Sequence, residues 1–240
     1  MTRPDMQHLE ATQHRARRRG CGPPLALVAL AAVLSLALAG PAIAAPRYMK
    51  DGVFLAEGAT GKTFVQGWGT LKLFAVGPDG SYTCRDAEGG YIENPVGGGA
   101  GVGATELYNS YQCTFSACPS VAIVLAEGLP WPEVLEEPKA GEIRAKTTGI
   151  KQDFQCWETR KAFEKARRGE GELPNAKNVF IGSPTPKVEQ GTSGLHPGFL
   201  EFGPAAGKLE QEGSQGTIQA ETVGKLKTLG YKEQELISVE

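Results

Sequence analysis

Val53–Val76 reads VFLAEGATGKTFVQGWGTLKLFAV, and toward its end Leu71, Leu73 and Ala75 alternate with Thr70, Lys72 and Phe74. A two-residue period sends successive side chains to opposite faces of an extended chain, so the stretch predicts strand rather than helix. Gly77-Pro78-Asp79-Gly80 follows with turn chemistry and Ser81-Tyr82-Thr83-Cys84 begins a second strand, which makes a hairpin. Gly89-Gly90 predicts another turn before Tyr91-Ile92. The composition agrees, with 32 glycines and 16 prolines in 240 residues, which is about twice the usual glycine share of roughly 7%. Only 40% of residues are hydrophobic and 8% aromatic, which disfavours helical bundles and coiled coils and favours short strands joined by turns.

Further along, Asn94-Pro95 and Gly97 to Gly103 predict a glycine-rich loop, after which strands run over Thr105 to Phe115 and Val121 to Ala126. Leu129-Pro130-Trp131-Pro132 stops the second of these, and an extended segment resumes from Glu142 to Thr148 and from Ile150 to Cys156. Trp157 to Arg168 is the one helical stretch, with Trp157, Phe163 and Ala166 apolar among charges and Gly169 at its end. Pro174 to Pro197 reads as loop around one strand at Asn178 to Ile181. Phe199 to Phe202, Lys208 to Gln211, Gly216 to Leu226 and Glu235 to Val239 supply closing strands. No linker divides the chain after residue 44, so residues 45–240 are expected to form a single all-β domain, an antiparallel sandwich or barrel with one short surface helix.

The N-terminus carries a targeting pattern. Arg15, Arg17, Arg18 and Arg19 precede an uncharged apolar run from Pro24 to Ala39, and Ala42-Ile43-Ala44 offers small residues at signal-peptidase spacing. Residues 1–44 are therefore expected to be a signal peptide; an uncleaved anchor is the competing reading and the only route to a membrane contact. Cleavage of 44 residues from 240 leaves 196 and removes five arginines and two acids, so 20 basic groups face 25 acidic ones, a net of −5. A mildly acidic export product is not expected to bind nucleic acid, which wants a concentrated basic excess.

After cleavage the cysteines are Cys84, Cys113, Cys118 and Cys156, an even number in a chain leaving the cytosol, and two disulfides are the natural reading. Three connectivities are open; the favoured one joins Cys113 to Cys118 across a small loop and Cys84 to Cys156 across a long one. A zinc site would need two closely spaced pairs, and only one pair is close.

Several motifs carry less than their letters suggest. Ala56 to Thr63 approximates a phosphate loop but lacks the leading glycine and is followed by strand-like Phe64-Val65, without the helix N-terminus that such a loop needs. Gly99 to Ala104 fits a relaxed dinucleotide pattern with no following helix. His196, the one histidine after residue 44, sits among loop formers, and no G-x-S-x-G elbow occurs. No cofactor and no catalytic residue is assigned. Glu127, Glu133, Glu136 and Glu137 surround Trp131, and paired carboxylates beside an aromatic are what a glycosidase uses. Trp131, Glu127, Glu133 and Trp68 are accordingly the candidate ligand-binding residues, with cell-wall or environmental polysaccharide as the candidate partner.

Ile92-Glu93-Asn94-Pro95 with the glycine run, Cys113, Cys118-Pro119, Leu129-Pro130-Trp131-Pro132, Glu142-Ile143-Arg144 and Cys156 together resemble a group of exported β-rich proteins of high-GC Gram-positive (actinobacterial) soil bacteria. The resemblance covers Tyr82 to Cys156 and, more loosely, Phe199 to the C-terminus; the charged stretch Trp157 to Arg168 departs from it. It implies export and a β-rich fold and brings no activity. The expected function is a secreted or cell-envelope binding or structural module, with an exported glycan hydrolase using Glu127 to Glu137 as the alternative.

Overall fold

The alternation around Leu71 and Leu73 runs through a far longer strand than the glycines in it suggest. The computed structural model describes residues 44–75, 80–118, 120–192, 198–214, 219–230 and 235–240. Two short strands, β1 (Tyr48–Lys50) and β2 (Val53–Phe54), lead into β3 (Thr63–Ala75), β4 (Ser81–Glu93) and β5 (Val102–Phe115), each of these three 13 or 14 residues long and antiparallel to the next. The predicted signal segment, the turn at Gly77-Pro78-Asp79, Pro119, His196 and Gly216 lie outside the described residues.

The remaining chain adds pairs of strands that continue one another in direction. These are β6 (Val121–Glu127) and β7 (Trp131–Lys139), β8 (Glu142–Thr147) and β9 (Ile150–Trp157), β10 (Ala176–Gly182) and β11 (Lys187–Glu189), and β12 (Gly198–Phe202) and β13 (Lys208–Gln211). A last long strand, β14 (Gln219–Gly230), pairs with β3 on one side and with β12 and β13 on the other. The hydrogen-bonded order β12-β11-β8-β7-β5-β4-β3-β14 closes through β12 and β14, and β13, β10, β9 and β6 prolong four of these staves. The result is an eight-stranded antiparallel barrel in which each stave neighbours the next in sequence. Of the two architectures that the sequence left open, the barrel is the one observed.

One expected turn is strand instead, and the expected glycine-rich loop ends two residues early. Gly89-Gly90 lies inside β4, whereas residues 95–101 form the loop and Val102-Gly103 already belong to β5. The register between them slips from Gly89 opposite Leu107 to Gly90 opposite Thr105, leaving Glu106 as an extra residue. There the backbones approach so closely that a Cβ on Gly90 would lie 2.0 Å from the Ala104 carbonyl oxygen. The glycine serves a bulge that bends the barrel wall, not a turn. The second correction concerns residues 131–139, where the expected strands leave a gap between Ala126 and Glu142 and the structure has β7. The chain does break at Gly128-Leu129-Pro130, but Trp131, Glu133 and Leu135 then alternate inward, and a charged residue at one inward position hides the strand period.

The helix α1 (Arg160–Arg167) is shorter than predicted because Thr159 caps it, its side chain accepting from the Ala162 amide, while Trp157 ends β9. Ile123, Trp157 and Phe163 form the small cluster that holds it against the wall. The upper half of the lumen is packed with aromatics: Tyr82 stacks on Phe115 at 3.8 Å, and Phe154 meets both Tyr82 and Phe180. The lower end is covered by a three-stranded sheet of β1, β2 and β15 (Ile237–Val239), whose Tyr48, Ile237 and Val239 pack on Ile92, Leu135 and Ala145.

The disulfides are Cys84–Cys113 and Cys118–Cys156, which corrects the predicted pairing. Cys84 and Cys113 sit on neighbouring strands where β5 carries an extra residue, with Gln112 at φ 51. Phe115 bridges Cys118 across the β5–β6 turn, so in that register Cys113 would face residue 120 rather than Cys118. Cys118 instead reaches the end of β9. These links are the covalent chemistry of an oxidising environment. Their sequence separations of 29 and 38 correspond to about 3.5 to 4 kcal/mol each in the chain-entropy model. Peptide mapping without reduction should recover these two pairs and no third. Replacing Cys118 and Cys156 together by serine should lower the unfolding free energy by about 3 to 4 kcal/mol in denaturant titration.

A buried acidic cavity in the barrel

On β4 the inward positions are Tyr82, Cys84, Asp86, Glu88, Gly90 and Ile92, so the strand's own two-residue period sends both acids into the lumen. Across the ladder Glu88 faces Gly67 of β3. A Cβ on Gly67 would stand 2.7 Å from Glu88 Oε1, so the missing side chain is what lets the carboxyl lie over β3. Glu133 enters from β7, the third acid on the same axis.

The three acids differ in their partners. Asp86 accepts from the Tyr108 hydroxyl at 2.9 Å, the Ser110 hydroxyl at 2.5 Å and the Leu71 amide at 3.3 Å. Glu133 accepts from the Tyr48 hydroxyl at 2.7 Å and the Thr147 hydroxyl at 3.4 Å. Among the described residues the Glu88 carboxyl has no hydrogen-bond donor. Burial, with the nearby Glu133 and Asp86 charges adding to it, pushes Glu88 up to about 8. Glu88 is half-buried and lines the cavity. Burial also raises Asp86 and Glu133, but their hydroxyl and amide donors oppose the shift. Tyr48 and Tyr108 are held well above the ordinary phenol range, first by burial and then by the carboxylates beside them.

The cavity these groups face holds about 60 Å³ open to the centre of a water molecule, room for several waters or one small ring. Its wall is mostly apolar, with Val65, Ile92, Leu135, Val188 and Leu200 around the two glutamates. Glu88, Thr105 and Leu200 also wall a middle cavity of about 40 Å³, and Tyr108 and Gln152 separate that from an upper one of about 30 Å³ under Tyr82. No Lys, Arg or His lines any of the three among the described residues. The described residues hold no group of three or more His, Cys, Asp or Glu arranged to ligate a metal ion.

The sequence-derived candidates are split between the two faces of the wall. Trp131 is 2% exposed, lies inside, and donates its indole N–H to the Glu127 carbonyl at 2.9 Å, its ring 5.3 Å from that of Tyr108. Glu133 joins it in the lumen. The Glu127 carboxylate instead pairs with Lys151 at 3.4 Å, Glu136 with Lys146 at 3.2 Å, and Glu137 accepts the Gly141 amide in the β7–β8 hairpin. Trp68 stands on the outer face of β3 and is 36% exposed. Asp86, Glu88 and Tyr48 were not singled out from the sequence. The signal was present, since Asp86 and Glu88 are in phase with Tyr82, Cys84 and Ile92, but a turn at Gly89-Gly90 cuts that phase short.

Compared with family models, with curated proteins and with solved structures, neither the sequence nor the fold finds a match.

A carboxyl held higher in the folded than in the unfolded chain makes the folded state the better proton binder. Stability then falls as pH rises from the unfolded value near 4.5 to about 8 and levels off above it. Through Glu88 the fall should be on the order of 4 kcal/mol. Urea unfolding of Glu88→Gln between about pH 5 and pH 9 should show a flatter profile than the parent; an unchanged slope would mean the carboxyl is hydrated.

Proposed function

We propose that this protein is a disulfide-bonded binding module that works outside the cytoplasm without catalysis of its own, and that its ligand sits in the lower lumen of the barrel. The observation that carries the reading is the mostly apolar cavity with Glu88, Glu133 and the Tyr48 hydroxyl on its wall. Eight strands are the number at which a barrel interior is either filled by side chains or keeps room for one small ligand, and a few polar groups in an apolar pocket are what orient such a ligand. Export is supported by the leader-like pattern of residues 1–44 and by the two disulfides.

Polysaccharide binding would draw on a different surface. Phe64, Trp68, Leu107 and Tyr111 remain exposed around Ala87 and Gly89 on the outer face of β3, β4 and β5, and aromatic rings there can stack on sugars. Trp131 and Glu133 take no part in that face. Of the acids from Glu127 to Glu137, only Glu133 faces the cavity, so a glycan hydrolase would have to pair it with Glu88.

The test uses benzyl alcohol as a neutral probe of the lumen and follows methyl resonances by NMR. Val65, Leu135, Val188 and Leu200 should shift on titration, and Ala145→Phe, which fills the cavity, should abolish the shifts. Silent methyls would remove the lumen as the site. Turnover of labelled peptidoglycan that is lost in Glu133→Gln would replace the binding module with the hydrolase.

A further inference from the structure

The lower and middle cavities carry acids that no basic side chain among the described residues of their lining balances. Glu88 and Glu133 face the lower space and Asp86 stands one inward position above Glu88. The other titratable groups at or near this lining are Tyr48, Tyr91, Tyr108 and Glu189. None of these is basic; Glu189 is already paired with Lys187, and Lys62 lies over the ring of Tyr91. Asp86 and Glu133 are satisfied by hydroxyl and amide donors, whereas Glu88 has neither a donor nor a counter-ion among the described residues. An apolar side chain would fill that position at lower cost, because an unpaired carboxyl in such surroundings is destabilising. A group kept there despite the cost is suited to a partner that brings the missing charge.

The wall decides what kind of cation that is. A divalent ion wants several oxygens converging on one point, and the acids of this lumen do not converge in that way. Around the carboxyl are Val65, Leu135, Val188 and Leu200, which suit hydrocarbon. Gly67 leaves room for the carboxyl to lie over β3. We infer that the lower cavity binds a small organic ammonium ion, its head on the Glu88 carboxylate with Glu133 alongside and its apolar body against Val65, Leu135, Val188 and Leu200. The inference rests on the lumen being the binding site and adds the charge of the ligand.

A proton follows from this. In the empty barrel Glu88 keeps its proton below about pH 8. An arriving ammonium pairs with the carboxylate, so the Glu88 O–H bond breaks and the proton leaves to the buffer. Below about pH 8 the affinity for a cation therefore rises by up to about tenfold per pH unit, and a neutral ligand shows no such slope.

The experiment is calorimetry on the oxidised full chain with benzylammonium and benzyl alcohol, which share a ring and differ in charge. At about pH 8.5 the ammonium should bind at least about tenfold more tightly. Near pH 6.5 that preference should shrink, and the heats in buffers of different ionisation enthalpy should report release of about one proton. Glu88→Gln should erase the preference for the ammonium over the alcohol. Equal binding of both probes with no proton release would overturn the ammonium assignment and leave the lumen site standing. Binding of neither probe would remove the lumen site and the assignment with it. A preference that survives in Glu88→Gln would overturn Glu88 as the anchor, and the pH dependence of the unmutated protein decides the matter should that variant not fold.

Discussion

Everything inside this molecule depends on β14 closing the ring. The strand is bonded to β3 along its length, and on its other edge it passes from β13, with Glu221 opposite Lys208, to β12, with Gly224 opposite Phe202. At the changeover Gly224 has φ +147, and a Cβ there would come within 2.3 Å of the Thr70 carbonyl oxygen. Only glycine permits both that backbone and that approach. Without the closure β3 and β12 would be free edges open to pairing with other chains, and water would reach Asp86, Glu88 and Glu133. The displaced titration of Glu88 is thus a property of the ring before it is a property of the residue.

The lower end needs its own seal, and one side chain supplies much of it. Asn94, with no exposed surface, accepts the Tyr48 amide at 2.8 Å and donates to the Tyr48 and Leu55 carbonyls at 2.9 and 3.1 Å. It stands just beyond β4, so the strand that carries Asp86 and Glu88 also pins the terminal sheet over their cavity. Tyr48 in turn reaches down to Glu133. Cap, clamp and acid form one connected path of hydrogen bonds, each worth about 1 kcal/mol net and more if a single partner is removed. At the upper end two disulfides and a stack of aromatic rings do the corresponding work. The two halves of one barrel are therefore built for different ends, rigid closure above and a polar site below.

How much of this was legible follows the physics of each signal. Period-two alternation found β3, because burial of one face leaves its trace in neighbouring letters. Glycine misled, because one residue type serves turns and bulges alike: Gly90 and Gly103 lie in the wall, where the reason for them is a carbonyl on the next strand. The cysteine pairing misled for a related reason. Cys113 and Cys118 are close in sequence, but pairing depends on register, and an extra residue in β5 turns Cys113 to Cys84. Of the candidate site, Trp131 and Glu133 were chosen for a reason that the fold replaced. They are neighbours through inward alternation on β7, not as an aromatic and an acid on a common loop.

The glycine content and the acidic cavity are two views of one constraint. A closed eight-stranded wall must bend sharply at a few places, and glycines and bulges let it do so. Each inward glycine also leaves a gap the size of a side chain. At Gly67 that gap is occupied by Glu88 from the adjacent strand, so a position that relaxes the wall also houses the acid. Trp131 and Tyr108 fill the lumen just above, which keeps the space small and divides it from the upper core. A barrel with alanine at residue 67 would press a methyl group on the carboxyl and force it toward the centre of the cavity, into the volume a ligand needs. Curvature, the placement of the charge and the size of the cavity are for that reason not separately adjustable, and any change to one should be read in the other two.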